Sequence, residues 1–121
     1  MAYQPVPKNT KSAFGELLVV EPDPVVQLQF PYNINTDIVE KRVNNLGTIT
    51  QADNMAVIQS GASANSAAHL LSHDHVKYNP GQGALVRFTA LFTTGAANSI
   101  QVAGVGEVGD GLFFGFNGTA F

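Results

Sequence analysis

The sequence predicts an all-β chain: an antiparallel β-sandwich or jelly-roll-like module with an extended N-terminal arm. Three observations predict it. Short runs of strand-forming residues recur between turn signals at a spacing of about 8–12 residues, the rhythm of sandwiches and jelly rolls. Several runs alternate apolar and polar side chains with a period of two, as a half-buried strand does. Stretches with helical spacing are too few for an α/β chain. The 121 residues suffice for one domain. Residues 1–13 are read as the arm and residues 14–121 as the β-rich domain.

The arm, beginning MAYQPVPKNTKS, lacks the apolar core of a secretory signal. Pro5 and Pro7 hold φ near the extended value and remove two donors, which favours an open path. Residues 16–21 carry a continuous apolar run, Leu17 to Val20, fit for a strand covered on both faces. The Pro22 and Pro24 pair ends it. Residues 25–30 alternate, with Val26, Leu28 and Phe30 on one side and Gln27 and Gln29 on the other.

Residues 36–44 fit two helical turns by their charge spacing, while Val39 and Val43 suit a strand equally. Residues 44–47, Asn-Asn-Leu-Gly, make a turn. Strands are expected at 48–50, which is β-branched, and at 54–59. Residues 60–67 are small and polar and form a loop. Residues 68–78 read as one strand, with His69, Leu71, His73, His75 and Lys77 on its polar face. Asn79-Pro80-Gly81 marks a type II turn.

Residues 84–94 are the strongest strand signal in the chain. Val86, Phe88, Ala90 and Phe92 line one face, and Leu85, Arg87, Thr89, Leu91 and Thr93 the other. Two more strands are expected at 99–105 and 112–116. Asn117-Gly118 predicts a type I′ turn. Only three residues follow it, so the sequence leans toward a piece of a longer polypeptide.

Composition narrows the function classes. Cysteine is absent, which removes thiolate chemistry and Cys-based zinc sites. No run approaches the roughly 18 apolar residues of a membrane span, so no membrane insertion is expected. Six basic residues and a net charge of -3 leave no phosphate-tracking groove, so no nucleic-acid partner is expected. Charged residues are 12% of the chain, about half the usual share. That scarcity points to surface covered by other chains, and Val86, Arg87, Phe88 and Phe92 are the expected interface residues.

The motifs that carry chemistry elsewhere are weak here. Gly104, Gly106 and Gly109 spell the dinucleotide fingerprint, but a strand-like Leu112-Phe113-Phe114 follows where a helix is required. A glycine-rich β-turn is the simpler reading. His69, His73, Asp74 and His75 form the histidine cluster. On a strand, His73 and His75 share a face about 7 Å apart and are the first metal candidates, without further ligands to complete a site. No catalytic residue and no cofactor is assigned, and no enzyme is expected. Asn117-Gly118-Thr119 matches a glycosylation acceptor, for which the turn is the simpler explanation.

Residues 78–95, YNPGQGALVRFTALFTTG, and 110–121, DGLFFGFNGTAF, are specific in wording. With residues 14–34, FGELLVVEPDPVVQLQFPYNI, they cover a little under half the chain. These segments resemble N-terminal regions of virion structural and fibre-like proteins of large DNA viruses and phages. The resemblance implies a β-rich, often multimeric module that joins a projecting part to a particle. It implies no catalytic residues. The expected function is therefore a fibre, spike or capsid-associated subunit at the particle surface, made in the host cell without a signal peptide. Its expected partners are itself, with a trimer favoured, and other virion proteins. A carbohydrate-binding β-sandwich is the alternative.

Overall fold

The structure is a computed structural model that describes residues 23–77, 79–81, 83–107 and 109–121. The expected arm and the strand at 16–21 lie outside them. The described residues hold six strands and no helix, and every ladder is antiparallel. The chain is all-β, built from two-stranded sheets. It divides into two compact units, Met1–Asn79 and Pro80–Phe121. The division falls inside the Asn79-Pro80-Gly81 turn, where Gly81 has the positive φ (82°) that the second central position of a type II turn requires.

The first unit nests one hairpin inside another. Strands β2 (Thr48–Ala52) and β3 (Met55–Gln59) pair with Ala52 opposite Met55. Asp53 and Asn54 connect them, with φ of 50° and 61°. Two successive left-handed residues make the type I′ loop, whose twist matches that of the strands. Outside this hairpin, β1 (Val39–Asn44) pairs with β4 (Ala67–Ser72), from Val39 opposite Ser72 to Asn44 opposite Ala67.

The ends of the nested strands are stitched by amides. The Asn44 and Asn45 Nδ2 groups donate to the carbonyls of Asn65 (3.0 Å) and Ala64 (3.2 Å), and the Leu46 N–H donates to Ser66 Oγ (3.3 Å). The expected turn at 44–47 is closed by the Gly47 N–H donating to the Asn44 carbonyl.

The two helical turns allowed over 36–44 shrink to one bend over Thr36–Ile38. The Asn35 carbonyl accepts from the Ile38 and Val39 N–H groups, and Asn35 Oδ1 accepts from the Asp37 N–H. From Val39 on the chain is strand. A two-turn helix is marginal alone, whereas β1 gains a six-residue ladder with β4.

Two further expectations are corrected. The strand expected over 68–78 ends at Ser72, because its partner β1 begins at Val39, opposite Ser72. Residues 25–30 join no ladder among the described residues. They keep the predicted alternation only at the C-terminal end: Leu28 and Phe30 are half-buried and Gln27 and Gln29 exposed, but Val26 is exposed as well. Pro24 and Pro31 flank the segment and remove donors a ladder needs. The core of this unit is small. Ile34 and Val39 are the buried apolar residues among those described.

The second unit is built on β5 (Ile100–Glu107) and β6 (Asp110–Asn117), paired from Ile100 opposite Asn117 to Glu107 opposite Asp110. Gly104 and Gly106 lie within β5 and Gly109 in the connecting turn, so a strand follows the glycine motif. Gly115 has a φ of 147°, and a Cβ there would meet the Gln101 carbonyl oxygen across the ladder. Only glycine fits that position.

The turn after β6 sits one residue later than expected. Asn117 is the last residue of β6 and exchanges backbone hydrogen bonds with Ala120 (2.8 and 3.2 Å). Gly118 and Thr119 are the central residues, and only Gly118 is left-handed, as in a type II′ turn. The Gly118 N–H donates to the Ser99 carbonyl at 2.7 Å, which holds the register.

The largest departure is residues 84–94. The strongest strand signal in the sequence joins no strand ladder with another described residue. Side chains, not backbone pairing, tie it to β6.

Candidate assembly surface

Five phenylalanines organise the second unit, three of them in one cluster. Phe92, Phe116 and Phe121 meet edge to face, with ring centroids 6.4 Å (Phe92–Phe116), 6.0 Å (Phe92–Phe121) and 5.1 Å (Phe116–Phe121) apart. Each such contact adds about 0.5–1.5 kcal/mol beyond the area it covers. Phe88 stacks at a tilt on Phe114 at 6.5 Å. The even-numbered side of the 84–94 segment therefore meets the rings of β6.

The clip that holds the segment is polar. Gln101, opposite Phe116 in the ladder, accepts at Oε1 from the Thr93 N–H (3.2 Å) and hydroxyl (2.9 Å). Its Nε2 donates to the Thr94 carbonyl at 3.4 Å. One β5 side chain thus grips the backbone of two successive residues at the end of the segment. Gly95 follows because the chain there passes against the Phe116 ring; a Cβ would lie 2.6 Å from its Cδ1.

The remaining apolar surface is open. Leu91 is 84% exposed and Leu85 61%. On the hairpin, Leu112 (73%), Ile100 (70%) and Phe114 (64%) are also exposed. Of the expected interface residues, Val86, Arg87 and Phe88 are exposed, while Phe92 is half-buried in its own aromatic cluster. Sequence reasoning missed Leu85, Leu91, Ile100 and Leu112. The signal for the first two was partial: Leu85 and Leu91 stand on the face that also carries Arg87 and Thr89, so that face is mixed rather than polar.

The histidines take other positions. His69 is in β4 opposite Arg42. His73 lies just past the strand end, where its N–H donates to the Ile38 carbonyl (3.0 Å) and its Nε2 lies 3.3 Å from the Thr36 carbonyl oxygen. His75 is exposed and off the strand. The shared strand face that made His73 and His75 metal candidates is thus not formed. Among the described residues, no group of three or more His, Asp or Glu is placed to hold a metal ion.

Beside them, Arg42 donates to both carboxylate oxygens of Glu40, through Nε and Nη2 at 2.8 Å each. This fork holds the Glu40 carboxyl below its ordinary range. The Arg42 hydrogen bonds are the main cause, and the charges of Arg42 and His73 add to them. The pair is exposed, so it orders one face of β1 and contributes little stability.

Among the described residues, the second unit presents exposed apolar side chains with few charges around the 84–94 segment. Comparisons with known protein families, with curated proteins and with solved structures find no match for this chain.

Proposed function

We propose that the chain is a structural subunit of a virus particle, a fibre, spike or capsid-associated protein that self-assembles through β-rich interfaces. One observation carries the reading: residues 84–94 join no ladder among the described residues, and they lie in a unit where Leu85, Leu91, Ile100, Leu112 and Phe114 are exposed. A free chain leaves that surface in water, and burying it favours association by roughly 25 cal/mol per Å² before association costs.

On this reading the two-stranded sheets are completed by neighbouring copies into a sandwich or jelly-roll-like body. The subunit is a homo-oligomer, with a trimer favoured, that meets other virion proteins at the particle surface. It has no catalytic residue, cofactor, nucleic-acid partner or membrane insertion.

Light scattering with size separation tests this across micromolar concentrations. A stable homo-oligomer is expected, and a monomer at every concentration overturns the reading. A carbohydrate-binding module is the second reading, and one observation favours it. Tyr32 is 92% exposed, an open aromatic face of the kind on which sugar rings stack. A glycan array that detects binding abolished by Tyr32→Ala establishes it, and an array without a binder removes it.

A further inference from the structure

We propose that the Asn117-Gly118 pair is a deamidation site that the fold keeps closed. While the turn after β6 is formed, the Gly118 nitrogen is held away from the Asn117 side chain. When the turn opens, Asn117 is converted to isoaspartate or aspartate. This chemistry needs only water as co-reactant and is independent of the self-assembly reading above.

The reactivity is written in two residues. Asn117 is the only asparagine in the sequence followed by glycine, and glycine has no side chain to shield its nitrogen or restrict its backbone. The Gly118 amide nitrogen, its proton lost to base, attacks Asn117 Cγ and forms a C–N bond there. The Cγ–Nδ2 bond breaks and ammonia leaves, which closes a cyclic succinimide. Water then adds to one of the ring carbonyls and breaks that carbon's bond to the ring nitrogen. Opening at the main-chain carbon gives isoaspartate, and opening at Cγ gives aspartate. The net change is one amide and one water to one carboxylate and one ammonium ion.

The folded backbone opposes the first step. Asn117 is the last residue of β6, in extended backbone opposite Ile100. Ring closure turns the Gly118 nitrogen onto Cγ, by rotation about the Asn117 Cα–C bond away from the extended ψ. That nitrogen donates its proton to the Ser99 carbonyl at 2.7 Å, so the rotation breaks a short hydrogen bond. The reciprocal bonds between Asn117 and Ala120 hold the same turn. Asn117 and Thr119 are exposed, so water and base reach the pair. Geometry, not burial, is the shield.

The surroundings do not readmit the main product. Isoaspartate lengthens the backbone by one carbon and adds a negative charge. The Gly118 carbonyl oxygen lies so close to Gly95 that a Cβ on Gly95 would collide with it. Just beyond the turn, Phe121 packs on Phe92 and Phe116, with centroids 6.0 and 5.1 Å apart. A lengthened turn cannot keep both the Gly118–Ser99 bond and the Phe121 contacts. A chain that has opened is thereby marked by a turn that does not close again.

The test uses the full chain, incubated in mildly alkaline buffer and in urea at the same pH. Peptide mapping by mass spectrometry measures conversion at Asn117, and elution separates isoaspartate from aspartate. Two variants loosen the turn and keep the Asn-Gly pair. Ala120→Pro removes the N–H that Ala120 donates to the Asn117 carbonyl. Phe121→Ala removes one ring of the aromatic cluster. Far-ultraviolet circular dichroism verifies that each variant keeps its strands.

The wild type is expected to deamidate at Asn117 about tenfold or more slowly in buffer than in urea, which corresponds to a local opening free energy of at least about 1.4 kcal/mol. In buffer both variants are expected to deamidate faster than the wild type, and in urea all three alike. Chains that carry isoaspartate are expected, once returned to buffer, to lose the slow hydrogen exchange of the Gly118 amide. Equal wild-type rates in buffer and urea overturn the proposal. So do folded variants that both deamidate as slowly as the wild type in buffer, because the turn is then not the shield. Isoaspartate chains whose Gly118 amide exchanges as slowly as before overturn the claim that the turn does not close again.

Discussion

Replacing Val39 with alanine probes how the first unit holds together. Val39 is 1% exposed and begins β1, opposite Ser72, while Ile34 is the other buried apolar residue among those described. The substitution removes two methyl groups. At about 0.8 kcal/mol per buried carbon, the lost transfer energy is about 1.6 kcal/mol. The cavity adds up to about 1 kcal/mol, at about 24 cal/mol per Å³ with partial collapse. A loss of about 2–2.5 kcal/mol follows, a large share of the stability of a small unit. Val43→Ala on the same strand is the internal control. Val43 is 55% exposed, and a change there is expected to cost less than about 0.5 kcal/mol. Urea denaturation followed by far-ultraviolet circular dichroism, at one fixed chain concentration, measures both. Equal midpoints for the two variants refute the claim that this small core carries the unit.

The other predictions concern turns, ladder glycines and the exposed ion pair. Gly115→Ala forces a side chain into a φ of 147° and against the Gln101 carbonyl; it should cost about 1–3 kcal/mol or more, and an unchanged denaturation midpoint contradicts it. Asn54→Gly keeps the left-handed conformation of the β2–β3 loop and should be near neutral, whereas Asn54→Val should lower stability by about 1–2 kcal/mol; reversal of that order by thermal melting refutes the turn assignment. Glu40 has a folded-state pKa below its ordinary 4.5, so its contribution is present above that value and is lost as pH falls through the folded pKa. In a nuclear magnetic resonance titration Glu40 should reach its midpoint below 4.5 and return toward it in Arg42→Gln; identical midpoints refute the fork.

The local elements were legible wherever neighbours in sequence decide them. Thr48, Thr50 and residues 54–59 announce β2 and β3, and the type II turn at Pro80-Gly81 is written in its two residues. The Asp53-Asn54 loop lacks the glycine that usually marks such a turn, so its type I′ geometry was not anticipated. The strand–helix ambiguity over residues 36–44 was real, because Asp37, Glu40 and Lys41 are spaced for a helix while Val39 and Val43 suit a strand. A distant partner, β4, decides it. The same dependence on distant partners explains the end of β4 at Ser72 and with it the loss of the His73 and His75 face.

Residues 84–94 show the limit most clearly. Periodicity reports that Phe88 and Phe92 share a side, and both meet rings of β6. Periodicity does not report which side faces water. Leu85 and Leu91 were assigned the less apolar face, yet they are among the most exposed apolar side chains of the unit. Propensity likewise describes a chain willing to pair, while a ladder requires a second strand at the right distance.

Sedimentation equilibrium of the intact chain, over a dilution series, weighs the whole account. It predicts a mass of two or more whole multiples of 12.8 kDa that stays so into the low-micromolar range. A single 12.8 kDa species at every dilution contradicts it.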